Sequence, residues 1–450
     1  MTARRAAPAM RRAEDGYTPM FRFLHAADIH LDSPLRGLDR YEGAPVDQAR
    51  EAPRGALGNL VTLARDEKVD FVVIAGDLYD GDWPCHNTGL HFVKQMTTLK
   101  DAGIKVYVIQ GNHDAANVNT RHLRLPDNVT VLPTDSPVTL HLDDWKVALH
   151  GQGYATRAVE ADLAARYPQG ERGWFNLGLL HTCAEDDGGE HGRYAPCTLD
   201  GLRSKHYQYW ALGHVHGRRG LHAAGDEPVW FPGNIQGRHV REPGPKGCLL
   251  VTVNDSNQAE VEFRALDVLR WETLSVDAAD AEDRDAVLDR VGTEVALAME
   301  NSEGRPLAVR VELRGNCRAH AELTADPHDL AQQVRSTTIT ASSNRAWVEK
   351  VRVLTSPPRR RVPVSVGDGP LSELVGLLGE LRSDPESLAR LVAKELGDLK
   401  AKLPAELRTG TSVDDPARLR DALDALVPGL LGQLGLAEAD FCERSRGPGQ

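Results

Sequence analysis

The stretch Phe71-Val72-Val73-Ile74-Ala75-Gly76-Asp77-Leu78-Tyr79-Asp80 joins the two signals that decide the fold. Five apolar residues without a polar interruption read as a strand buried on both faces, as in the parallel sheet of an α/β protein. A glycine ends the run, and two carboxylates follow at the strand end, where open α/β sheets place their sites. The same rhythm, a short apolar run stopping in Gly, Asn, Asp or His, recurs from Phe21 to about Leu266. Further strands are expected at 21–27, 106–110, 147–150, 177–181, 209–212, 229–232, 248–253 and 259–264, with a helix at 88–102 that starts from Asn87 and stops at Gly103.

Beyond residue 266 the pattern changes to strand 271–277, helix 283–300, strand 307–314, helix 327–335 and strand 346–354, a compact second α/β domain. Val287, Val291, Val295 and Met299, spaced by four, form the buried stripe of its first helix. Pro357-Pro358-Arg359-Arg360-Arg361 punctuates the chain as a linker whose charges read as solvated. Leucine-rich helices follow. One opens on Asp384 and Pro385 and carries Leu388, Leu391, Leu396, Leu399 and Leu403; a second stripe runs through Leu419, Leu423, Leu426 and Leu430. The expected organisation is therefore an N-terminal extension at 1–19, a main α/β domain at 20–266, a smaller α/β domain at 267–356, a linker at 357–370 and a helical segment at 371–450.

Composition limits the function. With 450 residues, 41% hydrophobic and 26% charged, the chain is globular and large enough for several domains. Its net charge of −12 argues against coating nucleic acid by bulk charge, while leaving room for a local basic groove or for cations that meet phosphates. No apolar run approaches the ~18 residues of a membrane span. Six scattered cysteines without a CxxC pair fit a reducing cytoplasm, and Cys183 reads as packing. The first 19 residues carry Arg4-Arg5 and Arg11-Arg12 without the apolar core of an export signal, so they read as a disordered extension, with Met20 as an alternative start of translation.

Five clusters of metal-capable residues fall at expected strand ends: Asp28-Ile29-His30, Gly76 to Asp80, Gly111-Asn112-His113-Asp114, His181, and Gly213-His214-Val215-His216. A pair of divalent ions needs one bridging ligand and terminal nitrogen and oxygen ligands for each ion. Asp28 and His30, and again His214 and His216, lie two apart and face one side of an extended segment. The glycines before Asp77, Asn112 and His214 are expected where the chain turns sharply out of a strand. Eleven other histidines, at 25, 86, 91, 122, 141, 150, 191, 206, 222, 320 and 328, read as surface or satisfied core residues.

This ordered series of Asp-x-His, Gly-Asp-x-x-Asp, Gly-Asn-His-Asp, His and Gly-His-x-His resembles the calcineurin-like metallophosphoesterase superfamily. The stretches Phe23-Leu24-His25-Ala26-Ala27-Asp28-Ile29-His30-Leu31-Asp32-Ser33-Pro34 and Pro232-Gly233-Asn234-Ile235-Gln236-Gly237-Arg238-His239 resemble the SbcD-type DNA repair nucleases, especially their YhaO-like branch. The similarity covers about residues 20–265 and continues more loosely to the end. It implies a four-layer sandwich, two β-sheets flanked by helices, with the smaller domain as a cap and the C-terminal helices as a partner-binding segment.

The resemblance also implies a ligand set. Asp77 would bridge two ions, one held by Asp28, His30, Asp77 and His216, the other by Asp77, Asn112, His181 and His214; His113 would be catalytic, oriented by Asp114. Imidazole, carboxylate and amide donors without thiolate favour Mn²⁺, with Zn²⁺, Fe²⁺ or Co²⁺ chemically able to serve. The implied activity is two-metal hydrolysis of DNA phosphodiesters in DNA repair. Some related nucleases carry a histidine where this chain has Asp80, so a second histidine acid is not expected. The implied partners are DNA, a second copy of the chain, and an SbcC-type, YhaN-like SMC-like ATPase held by the C-terminal helices.

Two rival readings follow from the residues. The metal site alone does not choose the leaving group, which leaves a phosphatase or phosphodiesterase acting on small molecules or phosphoproteins. A scaffold that tethers the ATPase is the other. Asp32, Ser33, Gln236, Arg238 and His239 either touch the scissile region or serve loop hydrogen bonding. The leucine stripes either close a small bundle or face another chain.

Overall fold

The computed structural model describes residues 21–33, 46–81, 87–115, 123–184, 194–222, 228–357 and 370–395, with isolated positions between 419 and 426. The expected extension at 1–19, most of the linker, and the leucine stripes beyond residue 395 lie outside the described residues, apart from those isolated positions.

β2 (Phe71–Ala75) is wholly buried and central. It pairs in parallel with β1 (Phe21–Ala26) on one side and β3 (Lys105–Ile109) on the other. β4 (Val129–Val131) extends the parallel run, and β11 (Gly247–Val253) and β12 (Ala259–Ala265) close the other edge antiparallel, giving the order β12-β11-β1-β2-β3-β4. The second six-stranded sheet has the order β5-β6-β7-β8-β10-β9. Its strands are β5 (Val138–Leu142), β6 (Val147–Gln152), β7 (Phe175–His181), β8 (Tyr209–Gly213), β9 (Arg219–Gly220) and β10 (Val229–Phe231).

Alternation along β1 and β2 builds the layers. Phe23, Phe71 and Val73 face the second sheet, where Phe23 stacks on Phe71 at 5.0 Å and meets the edge of Tyr209 at 5.5 Å. Leu24, Val72 and Ile74 point the other way, into a core shared with α1 (Val46–Asp66) and α2 (Asn87–Asp101). The far face of the second sheet is covered by a separate core that includes Tyr167, Leu202, Tyr207 and Trp210, beside the short α4 (Leu199–Arg203). The result is an α/β fold of two mixed sheets flanked by helices.

α1 has no counterpart in the expected elements. Its core face is Ala49, Ala52, Ala56, Leu57, Leu60, Val61 and Ala64, correctly spaced for a helix but half alanine, and Pro53 lies inside it. Small residues give little apolar contrast, and the proline argues for a break.

Downstream, β13 (Arg270–Asp277), β14 (Leu307–Asn316) and β15 (Ala346–Ser356) form a three-stranded sheet in that order, with α5 (Arg284–Glu300), α6 (His320–Ala325) and α7 (Pro327–Ser342) between its strands. Val287, Val291 and Val295 are fully buried. The chain divides into two compact units: Met1–Leu274 with Thr293–Arg310 and Thr338–Lys350, and Ser275–Gly292 with Val311–Thr337 and Val351–Gln450. In the second, α8 (Pro370–Ser383) and α9 (Pro385–Glu395) follow one another, and Asp384 caps α9 by accepting from the backbone N–H groups of Glu386 and Ser387. Leu378 and Leu388 are buried, whereas Leu377 and Leu391 stay exposed. No helix among the described residues is long and apolar enough to cross a membrane. The four described cysteines, Cys183, Cys197, Cys248 and Cys317, are buried, and no disulfide joins any of them.

Candidate metal centre

The chemistry-bearing side chains gather at the C-terminal ends of β1, β2, β3, β7 and β8. Asp28 and His30 leave β1, Asp77 and Asp80 leave β2, and α3 (Asn112–Ala115) carries Asn112, His113 and Asp114 after β3. His181 is the last residue of β7, and His214 and His216 follow β8. Asp28, His30, Asp77 and His214 have φ of 51°, 46°, 49° and 103°. Such backbone costs about 1–3 kcal/mol per non-glycine residue and persists only where the surroundings over-determine it. Here they do: Asp28 N–H donates to Gly76 O, His30 N–H to Asp77 O and Leu31 N–H to Leu78 O, which laces the first loop to the second.

The glycines act partly as expected. Gly76 sits at φ 90°, as a sharp exit requires. Gly111 and Gly213 serve close approach instead, since a Cβ on Gly111 would lie 2.2 Å from Asp77 Oδ1 and one on Gly213 would lie 1.9 Å from Ala75 O.

Three groups of ligand atoms form, each within 4.8 Å: Asp28, His30 and His216; His30, Asp77 and His113; and Asp77, His181 and His214. Asp77 belongs to two of them. Its Oδ1 accepts the His113 backbone N–H at 2.9 Å, which leaves Oδ2 between His181 Nε2 at 3.5 Å and His30 Nε2 at 3.9 Å. Asn112 Oδ1 lies 3.0 Å from His181 Nε2 and joins the last group. Both Asp28 oxygens face the His214 N–H, at 3.1 and 3.0 Å. All seven side chains expected as ligands are thus brought together, and each is buried.

Ring partners assign the histidine tautomers. His181 Nδ1 donates to Ala75 O at 2.8 Å and His216 Nδ1 donates to Glu242 Oε1 at 2.7 Å, so both present a bare Nε2 to the centre. His216 Nε2 then lies 3.1 Å from His30 Nε2. Ring nitrogens this close repel unless a proton or a cation lies between them, and buried carboxylates crowd the same space. The donor set therefore fits divalent cations.

The titration pattern has the same cause. Burial pushes Asp28 well above the usual carboxylate range, with the Asp77 charge adding to it. Burial likewise lifts Asp77 to about 6, opposed by His113. It drives His30 well below its ordinary value, helped by Arg238, and takes His181 down to about 3 against the Ala75 hydrogen bond.

Asp114 differs from expectation. It does not touch the His113 ring: its carboxylate accepts backbone N–H groups from Gly111 (3.0 Å), Leu78 (3.1 Å) and Tyr79 (2.9 Å), stapling the second loop to the third. The ring is held by Asp80, whose Oδ1 accepts from His113 Nδ1 at 2.9 Å while Ser33 Oγ donates to its Oδ2 at 2.8 Å. Burial raises the Asp80 carboxyl, but hydrogen bonds from His113, His30 and Ser33 outweigh it and hold the group far below the ordinary range. His113 is lowered by burial and raised more by Asp80 and Asp77, for a net upward shift.

Comparison with known proteins identifies the family. A family model for calcineurin-like phosphoesterases matches residues 21–218, and one for the middle domain of metallophosphoesterase YhaO matches residues 271–356. The chain is 35% identical over 296 residues, 65% of its own length and 71% of the relative's, to the uncharacterized metallophosphoesterase YhaO of Bacillus subtilis. The chain belongs to the YhaO metallophosphoesterases. The chain is also similar to the DNA double-strand break repair protein Mre11 of Sulfurisphaera tokodaii, at 26% identity over 47% of this chain and 53% of that protein. A shorter match of 36% identity reaches a subunit of the SbcCD nuclease of Bacillus subtilis, over 21% of this chain and 22% of that one. The calcineurin-like phosphoesterases are dimetal hydrolases, in keeping with two ligand groups that share Asp77.

For a YhaO-family centre, the residue that sequence reading missed is Glu242. It lies outside the metal motifs, and only the fold brings it to His216. Gln236, by contrast, serves the loops: its amide donates to Leu269 O and accepts from Val268 N–H. Asp32 is likewise occupied, by Arg54 and Thr88.

Proposed function

We propose that the protein is a manganese-dependent DNA nuclease subunit that hydrolyses phosphodiester bonds through a two-metal centre. The observation that carries the reading is the position of Asp77 Oδ2 between the His30 and His181 nitrogens, at 3.9 and 3.5 Å. Asp28, His30, Asp77 and His216 would hold one ion, and Asp77, Asn112, His181 and His214 the other. When bound, the pair supplies Lewis acidity toward water and toward phosphate oxygens.

The chain's own residues do the rest. The His113 backbone N–H pins Asp77 so that one carboxylate oxygen serves both groups. Asp80, anchored by Ser33, fixes the His113 ring through Nδ1, which leaves Nε2 as the working end. With Nδ1 donating to the Asp80 carboxylate, a proton carried on Nε2 would be the one available to the departing sugar oxygen. Glu242 and Ala75 O hold the tautomers of His216 and His181 that present lone pairs.

DNA as substrate is supported by the resemblance to proteins named for DNA double-strand break repair and for SbcCD nuclease activity. The partner proposed for α8 and α9 is an SMC-like ATPase; the exposed Leu377 and Leu391 support an apolar contact with another chain. A homodimer, a cytoplasmic location and a division near residues 266 and 356 complete the proposal. The test compares manganese-loaded protein on linear duplex DNA and on p-nitrophenyl phosphate. DNA cleavage that disappears in Asp77→Asn is expected; rapid monoester turnover with intact DNA overturns the reading.

A further inference from the structure

We propose that the open pocket beside the metal centre is a subsite for a second phosphate group, the next one along a nucleic-acid strand from the phosphate being cleaved. This rests on the nuclease reading and narrows it: the enzyme grips a strand by at least two consecutive phosphates.

The pocket holds about 610 Å³, more than one phosphate needs and within the usual range of ligand sites. Its inner wall is formed by His113, His214 and His216, so it opens directly onto the centre. Arg218, Arg238, Arg241 and Lys246 supply four cations to the lining, against Glu242 as the one carboxylate among the described residues there. In a chain of net charge −12 this pocket carries the opposite sign to the molecule. Glu242 offsets only one of the four charges, and its oxygens are turned to His216, Asn234 and Arg238.

The four cations divide by position. Lys246 is buried and its ammonium donates to His216 O at 3.2 Å, while Arg238 is tied to Glu242 at 3.1 Å and its Nε is buried without a hydrogen-bond partner. These two belong to the wall of the centre. Arg218 and Arg241 are exposed at the rim. The Arg218 guanidinium carbon lies 3.8 Å over the Phe263 ring centroid, a cation–π contact to an apolar partner that takes none of its hydrogen-bond donors. An ester with a single phosphate has nothing to offer the rim. A strand does, because its next phosphate continues away from the metals.

The test is salt-dependent binding of fluorescein-labelled oligothymidylate to the manganese-loaded full chain in a His113→Gln background, read by anisotropy. Each phosphate neutralised on a single strand contributes about −0.7 to the slope of log K against log salt, so Arg218→Gln with Arg241→Gln, which together release one phosphate, should flatten it by about 0.7. Affinity at low salt should fall at least about tenfold with it, from two lost charge-assisted contacts. Arg218→Lys with Arg241→Lys keeps the charges and should restore the slope, which separates charge loss from misfolding. Lys100→Gln, a surface cation paired with Asp127, controls for net charge. An unchanged slope in the double glutamine variant, an equal loss in Lys100→Gln, or no oligothymidylate binding at all overturns the subsite. DNA cleavage by the unaltered protein is scored separately. Cleavage with an unchanged slope removes the subsite alone; a flattened slope without cleavage removes the nuclease reading and leaves a phosphate-binding pocket.

Discussion

Replacing Glu242 by glutamine tests whether a residue outside every metal motif controls the metals. The carboxylate accepts four hydrogen bonds, two on each oxygen. Oε1 takes His216 Nδ1 at 2.7 Å and Arg238 Nη2 at 3.1 Å; Oε2 takes the Arg238 N–H at 2.8 Å and Asn234 Nδ2 at 2.9 Å. An amide of the same shape cannot satisfy this arrangement, because in either flip its NH₂ faces two donors. If the oxygen stays on His216, a charge-assisted bond worth about 1.5–3 kcal/mol becomes a neutral one worth about 0.5–1.5. If the NH₂ faces His216, the ring loses its acceptor and is free to move its proton to Nε2, the metal-facing nitrogen. Either way the loss is about 1–3 kcal/mol, or roughly a tenfold to hundredfold weaker ion, as found generally when the partner of a ligating histidine is removed. Titration calorimetry of manganese into stripped protein reads this directly. Only the ion held with His216 should weaken, so one of two binding steps shifts while the step using Asn112, His181 and His214 stays. Two unshifted steps in a folded Glu242→Gln protein would refute the reasoning and make Glu242 a loop residue.

How much of this centre the sequence carries depends on the distance over which each cause acts. The ligands are legible because each sits at the end of an apolar run, and Phe71 to Ala75 followed by Gly76 and Asp77 states both strand and site within seven residues. The orienting group is not, because adjacency misleads: Asp114 is next to His113 yet spends its carboxylate on backbone N–H groups of two loops. Asp80 reaches the ring because β2 and β3 are hydrogen-bonded neighbours. The absence of a histidine at position 80 was readable; that the carboxylate there would partner His113 was not. The same holds for Gly111 and Gly213, whose missing side chains make room for Asp77 and for Ala75 O on neighbouring strand ends. α1 was hidden for a local reason, an alanine-rich core face interrupted by Pro53.

Two further outcomes follow from the geometry. Asp80→Asn should lower single-turnover phosphodiester cleavage about a hundredfold, the lower end of what a positioned acid contributes, while calorimetric manganese affinity falls less, because His30 Nδ1 lies 3.5 Å from the Asp80 carboxylate against 2.9 Å for His113 Nδ1. An equal fall in affinity would show that Asp80 serves the metals rather than His113. The second outcome concerns His25, fully buried between Tyr209 OH and Leu212 O, each 3.1 Å from a ring nitrogen. Burial takes its pKa from 6.5 down to about 3, against the Leu212 hydrogen bond, so the folded protein holds it neutral. Between those values the unfolded chain binds a proton that the folded one refuses; stability from this residue is complete above pH 6.5 and is lost as the pH falls toward 3. At pH 5 the loss is about 2 kcal/mol, from 1.5 pH units at about 1.36 kcal/mol each. Urea unfolding at pH 7.5 and pH 5 should therefore separate the unaltered chain from His25→Gln by that difference. His30 and His181 add the same dependence to both proteins in metal-free buffer and cancel in the comparison. Equal pH dependence in the two would mean that His25 is solvated or charged in the fold, contrary to its place between the sheets.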